Sequence, residues 1–521
     1  MLQGRISFTT MFVILAIILV ILVVIYVKWT RNYWRRHNVQ QLSSTHILFG
    51  DFKPIIFQTQ PLFDYSRHIY NYFKEKNVRY GGLYSISRKI FFTVDPELVK
   101  HVLVKDFDYF MDHGLQHNEQ LEPLSANLFN LEGARWKAMR QKLTPTFTSG
   151  KMKMMFPTVM SCAAGLKNII EEHAVSREPI EIKDVLARFT TDIIGNCAFG
   201  IECNSMKDPN SEFRMFGKKI FERSLFHSIK ASLVQAFPQS VATSLGIRIM
   251  DHNVEKFFLD MVINNAEYRE KNQIFRKDFF QLMLQLKNLG KVTDDETITS
   301  PNKSGESFLS MNEVAAQCFV FFAGGFETSS NVMAFTLYEL ALNQEIQSKV
   351  RETVNKVLDG HNGEITYESI QEMTYLENAI NEAMRKYPVL PILPRISTKR
   401  YKIPDSDLVL EAGTRVWIPV AGLHWDPNIY PDPERYDPDR FSEQNQALKS
   451  NPVYLPFGEG PRQCIGLRFG MLQSKIGLAS ILRNFKVTLN AQTATPLAIK
   501  PVFLTTARDD IYLDFEKIEL N

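Results

Sequence analysis

The segment at residues 457–466, FGEGPRQCIG, constrains this chain more strongly than any other stretch. Two glycines precede Cys464, and glycine allows the positive φ angles of a tight loop that lifts a side chain clear of the backbone. Downstream, apolar residues recur at the spacing of a buried helix face, namely Ile465, Phe469, Leu472 and Ile476. The pattern therefore predicts Cys464 at the N-terminus of a helix, where free N–H groups and the helix dipole favour thiolate over thiol.

A lone thiolate in such a loop has two chemical uses, as an axial ligand of haem iron or as a nucleophile. A nucleophile needs a nearby base, and the nearest preceding histidines, His361 and His424, have no catalytic-triad context. A third interpretation, a small buried cysteine without chemistry, is the common role of any single cysteine. The other four cysteines are irregularly spaced, which favours a reduced compartment over a disulfide scaffold.

A second strong feature lies at the N-terminus, where residues 8–27 read FTTMFVILAIILVILVVIYV. Twenty residues without charge or proline form a helix of about 30 Å, the thickness of the hydrocarbon core of a bilayer. No small-residue cleavage site follows, which favours a transmembrane anchor over a removed signal peptide. Basic residues follow directly, so the positive-inside rule predicts a short lumenal N-terminus over residues 1–7 and a cytosolic body.

The chain after the anchor divides into a basic juxtamembrane linker over residues 28–54 and one cytosolic domain over residues 55–521. Within the linker, aromatic side chains are expected in the interfacial belt of the membrane, namely Trp29, Tyr33 and Trp34. Lys plus Arg total 60 and Asp plus Glu total 57, and this net charge of +3 is too small for a protein built to bind nucleic acid. Short alternating runs before residue 100 and amphipathic stretches beyond residue 135 predict a mainly α fold with a minor β region.

A proline-free run over residues 311–342 predicts one long helix that crosses the body. It contains the adjacent residues Gly324 and Gly325, each of which costs about 1 kcal/mol relative to alanine in a helix interior. Two compensations are open, either close packing of a neighbouring helix or a groove in which helix hydrogen bonds loosen and a small ligand fits.

These features occur together, and in this order, in one family. Residues 457–466 resemble the haem-binding loop of the cytochromes P-450, F-x-x-G-x-R-x-C-x-G, at every fixed position. Residues 324–328, GGFET, are similar to the family's oxygen-site pattern, [AG]-G-x-[DE]-T, and residues 382–385, EAMR, to its E-x-x-R pair. Residues 123–150 look most like insect microsomal members of the branch that metabolises xenobiotics.

The resemblance implies the cytochrome P-450 fold, a helix-rich haem domain with small sheets, in which haem b (iron protoporphyrin IX) is bound through the thiolate of Cys464. It implies that Thr328 donates a hydrogen bond at the oxygen site and that Glu327 passes protons to that site from water. The remaining haem contacts are implied for residues of the cysteine loop and for residues that hold the propionates, namely Phe457, Gly466, Trp136, Arg140, Arg395 and Arg462.

A structural network is also implied, in which Glu382 and Arg385 meet an arginine from a P-E-R-F-like segment. The chain offers Arg435 in PERY and Arg440 in PDRF, and we favour Arg440 because it lies 24 residues before the cysteine and its segment ends in phenylalanine. Three departures from the family stand out. The proline-rich hinge that usually follows the anchor is absent, and His113 replaces an arginine that would contact a propionate. The segment of Arg440 reads PDRF, a conservative change.

By this resemblance, the chain is expected to be a single-pass monooxygenase of the endoplasmic reticulum membrane with its body on the cytosolic face. It would insert one atom of O2 into small apolar substrates, either xenobiotics such as plant toxins and insecticides or endogenous lipids and hormones. Electrons would come from NADPH through NADPH-cytochrome P-450 reductase, with cytochrome b5 as a further donor, because no G-x-G-x-x-G motif follows a strand. Two rivals remain open, namely a haem-thiolate isomerase or dehydratase without O2 or reductase, and a haem-based sensor or ligand carrier.

Overall fold

The computed structural model describes residues 8–42, 46, 48–86, 88–222, 224–236, 239–293, 308–445 and 452–519; the predicted lumenal residues 1–7 lie outside this part of the chain. Helices dominate it, and those of ten or more residues are α1 (Phe8–Thr30), α2 (Leu62–Glu75), α3 (Gly133–Leu143), α4 (Ser149–Ser176), α5 (Ile182–Ile194), α6 (Glu212–Phe221), α7 (Leu225–Ala236), α8 (His252–Asn272), α9 (Phe279–Leu289), α10 (Met311–Gly325), α11 (Glu327–Leu342), α12 (Gln344–Asp359), α13 (Thr374–Lys386) and α14 (Leu467–Leu482). Shorter α-helical segments lie between them, namely Tyr33–Arg36, Lys53–Ile56, Pro96–Lys100, Gln239–Ser244, Tyr367–Glu372 and Val420–His424.

Nine short strands form three small sheets in the described residues, namely β1 (Tyr80–Ser85), β2 (Arg88–Thr93), β3 (Ile180–Glu181), β4 (Leu393–Ile396), β5 (Tyr401–Lys402), β6 (Val409–Leu410), β7 (Arg415–Ile418), β8 (Phe485–Leu489) and β9 (Tyr512–Lys517). The largest sheet has the order β1-β2-β7-β4, in which only β2 and β7 are parallel. Its register places Arg415 opposite Ile90 and Ile396, and Arg395 opposite Val416. The other sheets have the orders β3-β9-β8 and β5-β6. The predicted mainly α fold with a minor β region is confirmed.

The part of the body that the structure describes has two hydrophobic cores. The larger one surrounds α11, which packs against α5, α13 and α14. Its sequence from Ser329 to Ala341 is buried on every side of the helix, as expected of a helix without a polar face. The smaller core lies between α2 and the four-stranded sheet. The helices that carry predicted site residues, α3, α11 and α13, all belong to the larger core.

The N-terminal helix α1 extends away from both cores. Residues Met11–Thr30 form a helical stretch of 20 residues with a mean hydropathy of 3.1, and none of it is buried against the rest of the protein. Within the described residues, this is the one helix that is long and apolar enough to cross a membrane by length and composition.

The segment after α1 is packed into the body rather than free. Trp34 has no exposed surface, its indole N–H donates to the Leu83 carbonyl at 3.1 Å, and its backbone N–H donates to Tyr84 Oη at 3.0 Å. Gly82 makes room for the indole, because a Cβ there would lie 2.2 Å from the ring. Trp29, by contrast, is 62% exposed. The prediction that Trp34 lies in the membrane belt is therefore wrong, because β1, about 50 residues later in the sequence, provides a pocket that buries this side chain.

This difference between two tryptophans five residues apart can be measured. We expect Trp34→Ala to lower the free energy of unfolding of the solubilised protein by about 3–5 kcal/mol, the usual cost of emptying a buried tryptophan site. Trp29→Ala is the matched control and should change the free energy by less than about 1 kcal/mol. Equal urea midpoints for the two variants would contradict the packing of Trp34 in the body.

Candidate active site

The loop that carries Cys464 is a tight turn closed by its own backbone. The N–H of Cys464 donates to the Phe457 carbonyl at 2.9 Å, and the φ angles of Gly458 and Gly460 are +70° and +74°. Side chains rarely adopt such angles, and a Cβ on Gly460 would lie 2.0 Å from the Leu103 carbonyl oxygen. The path of the loop therefore requires the glycines that precede the cysteine.

The side chain of Cys464 opens into a cavity of about 1360 Å³. Its exposed surface faces this cavity, and burial within the protein raises the pKa of the thiol, while the Gly466 N–H and the Arg140 charge lower it to a smaller extent. The net direction is opposite to the prediction from a helix N-terminus, because burial of the thiol outweighs the two groups that lower its pKa. The helix α14 begins at Leu467, so Cys464 lies ahead of its first turn. Bound haem iron would stabilise the thiolate form of Cys464, because a metal ion deprotonates a coordinating thiol.

Three charged residues that precede the cysteine loop in sequence form a buried network of ion pairs. Glu382 accepts hydrogen bonds from Arg385 Nε at 2.8 Å and Nη2 at 2.9 Å, and from Arg440 Nε at 3.3 Å. Glu382 and Arg385 have no exposed side-chain surface. Arg435, the rival candidate in the sequence, contributes only its backbone carbonyl, 3.4 Å from Arg385 Nη2. The geometry thus brings together Glu382, Arg385 and Arg440.

The network reaches the cysteine loop through His424. Arg385 Nη1 donates to the His424 carbonyl at 2.9 Å, and the His424 Nε2 accepts from the Leu455 N–H at 3.0 Å. Burial lowers the pKa of His424 to about 3, with the Arg385 charge adding to the effect, so the ring is neutral and its Nε2 can accept. Leu455 lies two residues before Phe457, whose carbonyl holds Cys464. Hydrogen bonds therefore connect the buried network to the sulfur-bearing loop.

Arg395, one of the predicted propionate contacts, is a buried cation with an unused donor. Its side chain lines the cavity, its Nη1 donates to the Pro394 carbonyl at 2.8 Å, and its Nε has no partner among the described residues. Burial lowers the pKa of Arg395 to about 9, and the Arg462 charge acts in the same direction. A buried guanidinium nitrogen without an acceptor fits an anionic ligand group.

Arg462 and Trp136 are brought together, but the donors of Arg462 already have partners. The guanidinium lies 4.2 Å from the centre of the Trp136 ring. Its Nε donates to the Met111 carbonyl at 2.8 Å and its Nη2 to the Leu131 carbonyl at 2.7 Å, with Asp112 at 3.5 Å. Arg462 therefore ties the cysteine loop to the chain around residues 111–131, and a propionate would have to share it.

Arg140 and His113 line the same cavity. Burial lowers the pKa of Arg140. The charge of Cys464, rather than that of a carboxylate, raises this pKa to a smaller extent. His113 Nδ1 lies 2.8 Å from the Phe129 carbonyl, and burial together with two neighbouring arginines holds the pKa of His113 well below its usual value. The imidazole is therefore neutral, and its Nδ1–H donates to that carbonyl.

The predicted single helix over residues 311–342 is interrupted at Phe326, which separates α10 from α11. This corrects the sequence prediction. Three consecutive carbonyls at the break accept hydrogen bonds from side chains, which compete with the helix ladder. The bonds are Thr328 Oγ1 to Gly324 at 2.5 Å, Gln473 Nε2 to Gly325 at 3.1 Å and Thr190 Oγ1 to Phe326 at 3.0 Å.

The two adjacent glycines serve different purposes. A Cβ on Gly325 would lie 2.6 Å from Ile194 Cδ1, so this glycine permits the close approach of α5. A Cβ on Gly324 would meet nothing within 4 Å, and Gly324 lines the cavity. The packing compensation considered from the sequence therefore applies to Gly325, whereas the groove for a small ligand stays a prediction for Gly324.

Glu327 and Thr328 both line the cavity, but the carboxylate of Glu327 is engaged in an ion pair. Lys183 Nζ lies 2.7 Å from Glu327 Oε1, and Asn331 Nδ2 lies 3.4 Å from the same oxygen. Lys183 is 144 residues away in sequence, and no spacing motif connects the two. Sequence analysis therefore missed this partner of the predicted proton relay.

The residues around the cavity fit a haem group. The sulfur of Cys464, the open surface of Gly324 and the unpaired nitrogen of Arg395 border one space. Haem bound there would be held through Cys464, with Arg395 and Arg140 available to its carboxylates. The fold and this donor set together define a haem-thiolate enzyme.

Comparison with known proteins agrees with this class. A family profile described as Cytochrome P450 matches residues 51–513. Relatives in Drosophila melanogaster include Cytochrome P450 6a2, 41% identical over 494 residues (94% of this chain and 96% of that protein), and Probable cytochrome P450 6a14, 42% identical over 503 residues (94% and 96%). Probable cytochrome P450 6a13 is 40% identical over 515 residues (98% and 100%). The chain therefore belongs to the cytochrome P450 family and is a monooxygenase, and the predicted resemblance to insect members is confirmed.

The glycine requirement of the cysteine loop gives a direct test. Gly460→Ala should reduce the haem content of the purified protein several-fold, because the added Cβ collides with a backbone carbonyl that cannot move away freely. Gly413→Ala is the matched control, since Gly413 also has a positive φ of +83° but a Cβ there meets nothing within 4 Å. Equal haem content in the two variants would contradict the collision predicted for a Cβ on Gly460.

Proposed function

We propose that this chain is a membrane-anchored monooxygenase that inserts one atom of O2 into small apolar substrates, either xenobiotics or endogenous lipids and hormones. One observation carries the proposal. The Cys464 sulfur, the glycine-opened stretch at Gly324 and the Thr328 hydroxyl border one cavity whose walls are largely apolar. A cavity of this kind suits an apolar substrate that must lie close to the thiolate-held cofactor.

Bound haem would supply the activation of O2, and the chain's own residues would manage protons and water beside it. The Thr328 hydroxyl is oriented by its bond to the Gly324 carbonyl, so its oxygen remains free to accept a hydrogen bond from water in the cavity. Glu327 occupies the adjacent position in the sequence, and its ion pair with Lys183 would hold the carboxylate beside the cavity, where it can accept hydrogen bonds from water. Apolar walls exclude bulk water and strengthen these interactions.

The proposal includes an anchor in the endoplasmic reticulum membrane and a body on the cytosolic face. The length and hydropathy of α1 support it, as do the basic residues Arg35 and Arg36 that follow. Phe226 is 72% exposed and Leu245 is 65% exposed, which supports a second contact of the body with the bilayer. Electrons would come from NADPH through NADPH-cytochrome P-450 reductase, with cytochrome b5 as a further donor.

The cofactor assignment is tested by Cys464→Ser. A serine hydroxyl is a far poorer ligand to iron than a thiolate, so the variant should lose the red-shifted absorption band of the reduced protein with carbon monoxide. Cys162→Ser is the control, because Cys162 lies outside the cavity lining and should leave the band unchanged. A retained band in purified Cys464→Ser would remove this sulfur from the iron.

The proton assignment is tested by Thr328→Ala, with Thr328→Ser as the variant that keeps a hydroxyl. We expect Thr328→Ala to consume NADPH with the reductase yet release hydrogen peroxide, with product formation reduced about 10²–10⁴-fold, as for the loss of a side chain that positions the proton-carrying water. Thr328→Ser should retain most of the product. The measurement is the ratio of product to NADPH oxidised. An unchanged ratio in Thr328→Ala would mean that the Thr328 hydroxyl takes no part in proton delivery.

A further inference from the structure

The junction between α1 and the body continues the helix instead of interrupting it. Residues 8–53 contain no proline, so every backbone N–H there can take part in a helix ladder. The N–H groups of Arg31 and Asn32 donate to carbonyls of α1 at 3.0 Å and 3.3 Å, and the N–H of Arg36 donates to the Asn32 carbonyl at 3.0 Å. Helical hydrogen bonds therefore cross the joint between α1 and the short helix Tyr33–Arg36.

The side chain of Arg36 braces this joint. Its Nη2 donates to the Trp29 carbonyl at 3.0 Å, and its Nε donates to the Asn32 carbonyl at 3.3 Å. The guanidinium also lies 4.6 Å from the centre of the Trp29 ring, which adds a cation–π attraction to the two hydrogen bonds. One side chain thus holds the end of α1 to the helix that follows it.

Arg31 fastens the joint to the body. It is only 9% exposed, and its guanidinium donates to the carbonyl of His46 and, at 3.0 Å, to the carbonyl of Ile86. Burial lowers the pKa of Arg31, and the charge of Asp51 opposes this effect. Movement of Arg31 away from the body would leave both carbonyls without this donor, which is costly for buried groups. The charge is therefore directed into the body and not towards lipid head groups.

The hairpin formed by β1 and β2 binds the rest of the junction. Two hydrogen bonds connect Trp34 to β1. On β2, Lys89 Nζ lies 3.8 Å from the centre of the Tyr33 ring. Further along the junction, the N–H of Gly82 donates to the Gln40 carbonyl at 2.8 Å. These contacts leave no stretch of the junction long enough to act as a flexible linker.

The smaller core connects this joint to α7, the other proposed membrane contact. Trp34 belongs to that core, and Ile229 on α7 packs against it. Gln58 Nε2 donates to Ser228 Oγ on the same helix at 2.6 Å. Phe226, also on α7, is 72% exposed. One packed core therefore fixes the end of α1 and the exposed surface of α7 relative to each other.

We propose that the anchor and the body form one rigid unit, in which Arg31 and Trp34 hold the cytosolic end of α1 on the β1–β2 hairpin. The body then takes a single tilt on the bilayer, with the exposed surface of α7 against the lipid, instead of moving about a hinge. This assignment rests on the proposed membrane anchor. Arg31 is a positioning residue that sets the orientation of the body and takes no part in the chemistry at Cys464.

The rigidity is tested by the distance between α1 and α2 in the full-length holoenzyme in detergent. Nitroxide labels are attached to ketone-bearing residues introduced at Leu22 and Glu75, two exposed positions, and every cysteine stays unmodified. Pulsed EPR should give one narrow distance peak for the protein with an intact joint. Arg31→Ala should spread the distance by about 12 Å, the dimension of a flexible chain of about five residues.

Two further variants sharpen the result. Arg35→Ala is the matched control, because Arg35 is exposed and its side chain forms no hydrogen bond or ion pair with the described residues. It should leave the peak narrow. Asn32→Pro removes an N–H from the ladder and disfavours the helical conformation of Arg31, so it should broaden the peak even if Arg31→Ala is tolerated. The reduced carbon monoxide band should stay unchanged in all three variants, which shows that the body is folded.

The orientation is measured by linear dichroism of the haem in oriented bilayers. The unsubstituted protein and Arg35→Ala should show one haem tilt, whereas Arg31→Ala and Asn32→Pro should lose most of the dichroism. A broad distance distribution in the unsubstituted protein, or equally narrow peaks in all variants, would overturn the rigid unit. Failure of the unsubstituted protein to float with liposomes would instead overturn the proposed anchor, and the distances in detergent would still decide whether the joint is rigid.

Discussion

Glu382 keeps a carboxylate in the protein interior, where Arg385, Arg440 and the backbone N–H of Asp437 donate to it. Burial raises the pKa of Glu382, and the two arginines oppose that effect. A buried ion pair contributes little net stability, yet removal of one partner costs about 3–5 kcal/mol because a charge is left alone. The network therefore acts mainly as a positional constraint. Through His424, that constraint extends to the loop in which Cys464 faces the cavity.

Short-range spacing carried most of what could be predicted about the site. The cysteine loop, the Glu382–Arg385 pair and the Gly324–Thr328 segment each lie within ten residues, so local backbone geometry dictates which side chains share a face. The helix-rich fold and the apolar N-terminal helix also follow from local periodicity and composition. The positive φ angles of the two glycines before Cys464 could also be predicted, since a tight loop requires such angles.

Other features could not be predicted because they depend on long-range partners. Trp29 and Trp34 look alike in sequence. Trp34 is buried because Gly82 leaves room for its indole ring, whereas Trp29 stays exposed. The interruption of the long helix arises from side chains on α5 and α14 that take its carbonyls. The pairing of Glu327 with Lys183 and the net rise in the pKa of Cys464 likewise reflect contacts and burial that no local pattern records.

The arginines at the cavity show how one residue type acquires different roles from its surroundings. Arg462 donates to backbone carbonyls and lies beside a carboxylate, so groups of the chain compensate its positive charge. It therefore holds the loop in place. Arg395 is buried and its Nε has no partner among the described residues, so it suits an anionic group that stays bound. Because desolvation affects both residues, the difference in their roles lies in which partner compensates the positive charge, a group of the chain itself or a bound ligand.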